Sequence, residues 1–435
     1  MIDRLIKWLD ASTCNFLAAQ TIAAELDKAG FVRLDPARRW ELTGNGKYYM
    51  VKNDSAVFAF IAGTKPAAES GFRIISSHSD SPCFKIKPNA EIYNEGGIVT
   101  LNVEKYGGGI LYTWFDRPLS ISGRVMLKGK DALHPATMMV DLKRPVCTIP
   151  HLAIHFNREV NEGNKLSVQK DMKPVIGIFT ADKISEFKSR GGVVKSLVAE
   201  NLGIEPEEII DYELCLYPCG GASLAGANGE LLQSGRIDDL SMAFASLEAL
   251  LRECGHEAEA TRVMAVFDNE ETGSGTKQGA HSPVLTMMLE RIAAQYAGGD
   301  SREDFFRAVA NSFMISADDA HAWHPNYNEK YDPTNHPQLG GGPVVKINAN
   351  CKYMTDADGA AVFRQLCAEA GVGCQYFVNH SDVAGGSTLG NILTGQLDLR
   401  GVDMGAAIWG MHSAAETASV GDHEAVVKVF RQFYK

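Results

Sequence analysis

The sequence lacks any long run of apolar residues, because charged residues recur even within its most apolar segments. A membrane-spanning helix needs about 20 consecutive, mainly apolar residues, so we expect no transmembrane segment. The N-terminal stretch MIDRLIKWLDASTCNFLAAQTIAAELDKAG also lacks the uninterrupted apolar core of a signal peptide. We interpret it as an amphipathic helix that ends at Gly30.

Positive charge is also scarce. Against 53 acidic residues the chain has 42 Lys and Arg, which gives a formal net charge of −11, and no basic run is present. Such a chain is poorly suited to bind nucleic acid or an anionic membrane, and we predict neither as a partner. The nine cysteines never form a C-x-x-C pair, which indicates reduced thiols in a cytoplasmic protein.

Core-forming residues are plentiful. Of the 435 residues 45% are hydrophobic, a length and composition typical of one large domain or two. Up to about residue 88 the pattern predicts helix, then a hairpin with Asn53-Asp54 in its turn, then the buried strand GFRII, after which polar residues begin. Residues 89–234 contain short β-like runs broken by glycine. From about 235, strands and helices alternate, which is typical of a largely parallel sheet with helices on both faces.

These patterns predict an α/β fold with a mixed, mostly parallel sheet flanked by helices. Residues 1–88 and 235–435 would form this domain, and residues 89–234 would be an inserted β-rich domain. Within the α/β part, DADGAAVFRQLCAEAG is typical of a helix. Thr355 is the expected N-cap of this helix, and Gly371 its expected end.

Metal-capable residues follow several predicted strands. His78 and Asp80 follow RIISS, Asp268, Glu270 and Glu271 follow VMAVF, and Asp318 and Asp319 follow FMISA; Asp238-Asp239 starts a predicted helix and His412 ends an apolar run. Each feature alone has an ordinary explanation, such as helix-start acids, a solvated loop or a core histidine. Because ligands bind beyond the carboxyl ends of strands in open α/β sheets, the combination predicts one metal centre.

The chemistry of such a centre accounts for the doubled acids. Imidazole and carboxylate ligands suit zinc, and also cobalt or manganese. Two ions about 3.5–4 Å apart can share a carboxylate and activate a water molecule, whose proton a further carboxylate must accept. Glu270 and Glu271 offer one base and one ligand, and Asp80 is placed to orient the His78 ring.

The sequence resembles the aspartyl aminopeptidases, cocatalytic-zinc exopeptidases that remove N-terminal Asp or Glu from peptides. The resemblance covers nearly the whole chain and is carried by SSHSDSPCFKIKP, YGGGILYTWFDRPL, IPHLAIHFNREVNEG, SGRIDDLSMAF, FDNEETGSGTKQGA, SADDAHAWHPNY, GPVVKINAN and GMHS. It implies a zinc-exopeptidase type of fold. It also implies two divalent ions per subunit, zinc first and manganese or cobalt as alternatives.

The resemblance further implies a role for each residue of the centre. One ion would be held by His78, Asp238 and Asp318, and the other by Asp238, Glu271 and His412, with Asp238 bridging. Glu270 would be the general base and acid, and Asp80 would orient His78. A cis peptide bond is expected between Asp238 and Asp239.

Substrate binding and assembly are implied in the same way. Lys346 would bind the acidic side chain of the substrate, with His321 and Tyr353 lining the site. His155, in the insertion, would reach toward the active site of a neighbouring subunit. The insertion would then serve oligomerisation, and the assembly would be a tetrahedral homododecamer whose enclosed sites admit peptides but no folded proteins.

The sequence departs from the family's common pattern at two places. Ser79 stands where Thr is frequent, and Ala415 stands where Arg is common, a loss of charge near His412. Three other functions agree with some of these sequence features. They are a broad-specificity dinuclear aminopeptidase, an amidohydrolase of acylated amino acids, and a non-catalytic peptide-binding shell. The complete set of ligands and base favours an enzyme.

Overall fold

The computed structural model describes residues 1–295 and 301–435. The chain forms two compact units. The first comprises Met1–Asp80, Ala222–Met411 and Glu416–Lys435, and the second comprises Ser81–Gly221 and the short segment His412–Ala415. Within the described ranges, every helix is too short or too polar to cross a lipid bilayer.

The helices of the described ranges are numbered in chain order. They are α1 Ile2–Ala11, α2 Asn15–Lys28, α3 Ala67–Ser70, α4 Val168–Asp171, α5 Ala181–Ser189, α6 Val193–Leu202, α7 Ile237–Glu253, α8 Val284–Ala294, α9 Ser301–Ala310, α10 Ala357–Glu369, α11 Leu389–Thr394 and α12 Val420–Tyr434.

The strands are numbered in the same way. They are β1 Val32–Arg33, β2 Lys47–Lys52, β3 Ala56–Ile61, β4 Phe72–His78, β5 Cys83–Tyr93, β6 Ile98–Tyr106, β7 Leu119–Asp131, β8 His134–Asp141, β9 Val175–Ile178, β10 Ile209–Pro218, β11 Ser223–Ala225, β12 Leu231–Ser234, β13 Thr261–Phe267, β14 Phe313–Ala317, β15 Ala320–His321, β16 Val344–Ile347, β17 Gln375–Val378, β18 Arg400–Gly405, β19 Ala407–Trp409 and β20 Glu416–Ser419.

The main sheet of the first unit has nine strands in the order β1-β2-β3-β13-β4-β14-β18-β16-β17. Its centre is parallel, since β13, β4, β14 and β18 run in the same direction. Antiparallel neighbours flank this centre, with β3 against β13 and β16 against β18. The predicted mixed, mostly parallel sheet is therefore confirmed.

Helices cover both faces of this sheet, because alternate residues of a strand point to opposite sides. On β3, Val57 and Ala59 join a core shared with α1, α2, α7 and α12. Phe58 and Phe60 join a different core, shared with α8, α9 and α11. A strand buried on both faces needs a continuous apolar run, and AVFAFI in β3 supplies one.

A second sheet of the first unit has the order β11-β12-β20-β19-β15. β12 pairs antiparallel with β20, with Leu232 opposite Ala418. The predicted insertion, residues 89–234, includes β11 and β12, whereas this pairing places both strands in the first unit. Short runs broken by glycine do not reveal which sheet a strand joins.

The second unit is built on a six-stranded antiparallel sheet with the order β8-β7-β10-β5-β6-β9. Its core contains Phe84, Leu101, Ile121 and Leu216 together with residues of α6. The β-rich texture of the sequence thus corresponds to a β-rich unit. The catalytic and oligomerisation roles assigned to the two regions remain predictions.

The predicted single N-terminal helix is wrong, because the chain forms α1 and α2 with an extended residue, Cys14, between them. The guanidinium of Arg236 donates to the carbonyl oxygens of Leu9 and Ser12, so the end of α1 is satisfied by a residue remote in sequence. The turn at Asn53-Asp54 is confirmed, with both residues at positive φ.

The predicted N-cap of α10 is displaced by one residue. Asp356, not Thr355, caps the helix by accepting the N–H of Gly359 at 2.8 Å. The Thr355 hydroxyl instead accepts the N–H of Asp403 at 2.8 Å. The helix ends as expected, with Gly371 at φ +68 just beyond it.

Candidate metal centre

Three of the predicted strand ends are neighbours in the structure. β13, β4 and β14 are adjacent and parallel, so their carboxyl ends lie at one edge of the sheet. His78 is the last residue of β4, and Asp318 directly follows β14. These two residues lie with Asp238 and Asp239 of α7, and the potential ligand atoms of all four are within 4.8 Å of one another.

A second group of potential ligand atoms satisfies the same distance limit. It consists of Asp238, Glu271 and His412. Asp238 belongs to both groups. His412 has a φ of 67° and lies in the turn between β19 and β20. The arrangement brings together each residue for which the sequence suggested a role as a ligand.

Asp80 holds the turn that carries the two glutamates. Its carboxylate oxygens accept the main-chain N–H groups of Glu270 and Glu271, each at 3.1 Å. The His78 ring atom Nδ1 lies 3.0 Å from the carbonyl oxygen of Asp80 and 3.3 Å from its Oδ1. The sequence suggested only the contact with His78, and the support of the Glu270-Glu271 turn is an additional role.

The sequence places Asp239 among the metal-capable residues, but neither predicted ligand set includes it. Its Oδ2 accepts the main-chain N–H of His78 at 3.0 Å. Asp319, the second acid of the other pair, accepts the hydroxyl of Ser241 at 2.8 Å. The doubled acids were the available signal, since the second member of each pair is almost fully buried. The Asp238-Asp239 peptide bond is cis, as expected.

The carboxylates of the centre are difficult to ionise together. Burial, together with neighbouring carboxylates, raises the pKa values of Asp239, Glu271 and Asp319 well above the usual range. The same causes raise the pKa of Glu270 to about 8. Burial disfavours the charged ring of His78, yet Asp239, Asp238 and Asp80 raise its pKa. A positively charged group at the centre would therefore be stabilised by the surrounding carboxylates.

These residues fit a divalent metal ion. Among the described residues, Asp239 Oδ1 and Asp319 Oδ1 are buried oxygens without a hydrogen-bond partner, and a nearby cation would compensate both. One imidazole with several carboxylates is a ligand set that zinc accepts.

Lys346 brings a protein cation to the edge of the centre. Its side chain is almost fully buried on β16, and Nζ lies 3.3 Å from Asp318 Oδ1. Burial lowers the pKa of Lys346, but Asp318 and other neighbours raise it above its ordinary value. Tyr353, another predicted substrate residue, has its ring centre 5.8 Å from Nζ.

The other two predicted substrate residues lie in different surroundings. His321 is exposed on β15, and its ring centre is 5.7 Å from that of Phe377. Phe377 in turn is the register partner of Lys346 across β16 and β17. His155 lies in an exposed irregular segment of the second unit.

Comparison with known proteins identifies the family. Residues 8–434 match the family described as aminopeptidase I zinc metalloprotease (M18). The chain is 47% identical to a probable M18 family aminopeptidase 2 of Clostridium acetobutylicum and 45% identical to one of Clostridium novyi. Each alignment covers 99% of this chain and 98% of the relative.

Solved structures agree with this assignment. A chain of a complex of Ape4 and Nbr1 superposes with a TM-score of 0.94 at 34% identity, covering 99% of this chain and 84% of that one. A chain of the S. cerevisiae mApe1 dodecamer gives 0.86 at 28% identity, with coverages of 99% and 95%. The chain belongs to the M18 family of zinc aminopeptidases, which includes the aspartyl aminopeptidases.

Proposed function

We propose that this aminopeptidase removes N-terminal Asp and Glu residues from peptides, using two divalent metal ions. The observation that carries the specificity is the buried Lys346, whose ammonium group lies 3.3 Å from Asp318. A cation fixed beside a proposed metal ligand would bind the carboxylate of the first side chain. His321, Tyr353 and a neighbouring subunit's copy of His155 would complete this pocket.

His78, Asp238 and Asp318 would hold one ion, and Asp238, Glu271 and His412 the other. Zinc is our first choice, with manganese and cobalt as alternatives. When bound, the ions would polarise the scissile carbonyl and lower the pKa of a water molecule. Glu270 would accept the proton of the attacking water on a carboxylate oxygen and return it to the leaving amine. Asp80 would keep Glu270 in position through its main-chain N–H.

We further propose a homododecamer of tetrahedral form. The related mApe1, 28% identical, forms a dodecamer, and apolar side chains flank His155 in the second unit. Leu152, Ile154 and Phe156 are 59%, 53% and 81% exposed in the single chain, and such a patch is typical of an interface. A cytoplasmic location completes the proposal, and the scattered cysteines, of which no two form a C-x-x-C pair, support it.

The test is hydrolysis of peptides that begin with Asp, Glu, Leu or Lys, and of an N-acylated control, before and after chelation and with zinc, manganese or cobalt restored. We expect metal-dependent cleavage of the acidic peptides. Equal cleavage of the Leu peptide would contradict the specificity, and cleavage of the acylated control would favour an amidohydrolase. A folded, metal-loaded oligomer that cleaves nothing would favour the peptide-binding shell.

A further inference from the structure

A cavity of about 440 Å³ in the first unit is lined by basic side chains. Lys330 and three histidines, His321, His324 and His380, line it. Among the described residues, no Asp or Glu side chain contributes to this wall. In a chain with more acidic than basic residues, this composition favours an anionic ligand.

The wall of the cavity is connected to the candidate metal centre through β15 and β17. His321 follows the proposed ligand Asp318 by three residues, through the acid pair and into β15. Phe377, which also lines the cavity, is the register partner of Lys346, whose ammonium group lies 3.3 Å from Asp318. A peptide held at the centre could therefore extend into the cavity.

Two of the histidines are fixed as hydrogen-bond donors. Nδ1 of His324 accepts the main-chain N–H of Asn326, and Nδ1 of His380 accepts that of Asp382, both at 3.2 Å. A neutral imidazole that accepts at Nδ1 carries its proton on Nε2. Each ring therefore presents an N–H donor, and Lys330 adds a full positive charge.

Three carboxylates lie near the wall along the chain, but none of the three residues lines the cavity. Asp332 lies next to the lining residue Tyr331, but its Oδ1 accepts the main-chain N–H groups of Thr334 and Asn335 at 3.0 and 2.7 Å. Glu329 and Asp382 are exposed to solvent. Among the described residues that line the cavity, Lys330 is therefore the one with a full charge, and the imidazole N–H groups add donors for an anion.

We infer that the cavity binds a carboxylate of the leaving part of the peptide, beyond the scissile bond. The inference rests on the proposed function, in which the N-terminal side chain binds at Lys346. A volume of about 440 Å³ is much larger than one aspartyl side chain needs, and it lies in the range typical of ligand sites. The carboxylate would come from the side chain of the second residue or from the free C-terminus of a dipeptide.

The first experiment compares substrates that share an N-terminal Asp. We expect kcat/KM to be about tenfold higher for Asp-Glu amide than for Asp-Gln amide, since a charged hydrogen bond is lost in the second. A parallel preference for Asp-Ala over its amide would assign the site to the C-terminal carboxylate. Lys330→Met and His380→Phe should each reduce the preference to less than about twofold. Lys28→Met, at a 73% exposed lysine of α2, should leave it unchanged.

The second experiment does not depend on activity. Calorimetry on metal-loaded Glu270→Gln protein, which should bind without cleaving, compares Ala-Glu amide with Ala-Gln amide and Ala-Ala free acid with Ala-Ala amide, and melting temperatures of the variants verify that they fold. Tighter binding of the carboxylate ligand in either pair, lost when Lys330→Met or His380→Phe is added, would support the inference even if the N-terminal preference proved not to be acidic. Equal binding within both pairs would overturn it even if N-terminal Asp were still preferred.

Discussion

At the scale of single residues, we propose different roles for two adjacent glutamates of the centre. Glu271 belongs to a group of potential ligands. Glu270 belongs to neither ligand group, and burial raises its pKa to about 8. Both main-chain N–H groups are bound by Asp80. This arrangement leaves the side chain of Glu270 for proton transfer, the role that we assign to it.

We therefore expect Glu270→Gln to retain fold and metal but to lose turnover by a factor on the order of 10² to 10⁴, because the amide cannot accept a proton. The measurements are kcat on an Asp peptide, metal content and melting temperature. Glu259→Gln is the matched control, since Glu259 is 68% exposed. Activity of Glu270→Gln close to the wild type would disprove the assignment of the base.

Lys346 provides a test of specificity. Lys346→Leu should lower kcat/KM for an Asp peptide by about 10- to 100-fold, the value of a charged hydrogen bond, and should lower that for a Leu peptide much less. Lys352→Leu, at an exposed lysine beside Tyr353, is the control. An equal loss on both peptides would mean that Lys346 supports the centre without selecting the substrate.

At the scale of elements, α12 supports the strand that carries Lys346. Asp422, in the first turn of α12, is 1% exposed. Its Oδ2 accepts the N–H of Gly340 and its Oδ1 that of Gly342, both at 2.7 Å. These glycines immediately precede β16, so the helix start fixes the entry to the strand.

Asp422→Asn should lower the free energy of unfolding by roughly 1–3 kcal/mol, because an amide can accept only one of these two hydrogen bonds with its oxygen. Denaturant titration measures this. Asp358→Asn removes a surface ion pair to Arg400 with Asp358 51% exposed, and it should cost less than about 1 kcal/mol. Similar values for the two variants would argue against the support of β16 by Asp422.

The sequence predicted those strands and helices whose formation depends on residues close together in the chain. Continuous apolar runs identified β4, β13 and β14, and the acids after them indicated where the centre lies. What could not be predicted depends on distant partners. Asp403 engages Thr355 and so shifts the cap of α10 to Asp356. Arg236 satisfies the end of α1, and β20 pairs with β12.

At the scale of the whole molecule, acid should weaken the fold through His423. This residue of α12 is 3% exposed, its ring lies 5.6 Å from that of Phe244, and neither ring nitrogen has a hydrogen-bond partner among the described residues. Burial lowers its pKa from 6.5 to about 4. The unfolded chain therefore binds a proton between these pH values that the folded chain excludes.

The contribution of the neutral His423 ring to the free energy of unfolding should be fully retained above about pH 6.5. It should decrease as the pH falls toward 4, by up to roughly 3 kcal/mol. His423→Leu should remove this part of the pH dependence, as measured by urea unfolding between pH 7 and 4. His281→Leu, at an exposed histidine, should leave the profile unchanged. An identical loss in wild type and His423→Leu would exclude His423 as its source.

The first ligand group draws its members from β4, the start of α7 and the residue after β14. An ion bound there would act as a cross-link between segments that are far apart along the chain. Binding to the folded state alone adds RT ln(1 + [L]/Kd), about 4 kcal/mol at a thousandfold excess over Kd. Chelation should therefore lower the melting temperature and expose the chain to proteolysis, so that loss of metal would set the lifetime of the protein as well as its activity.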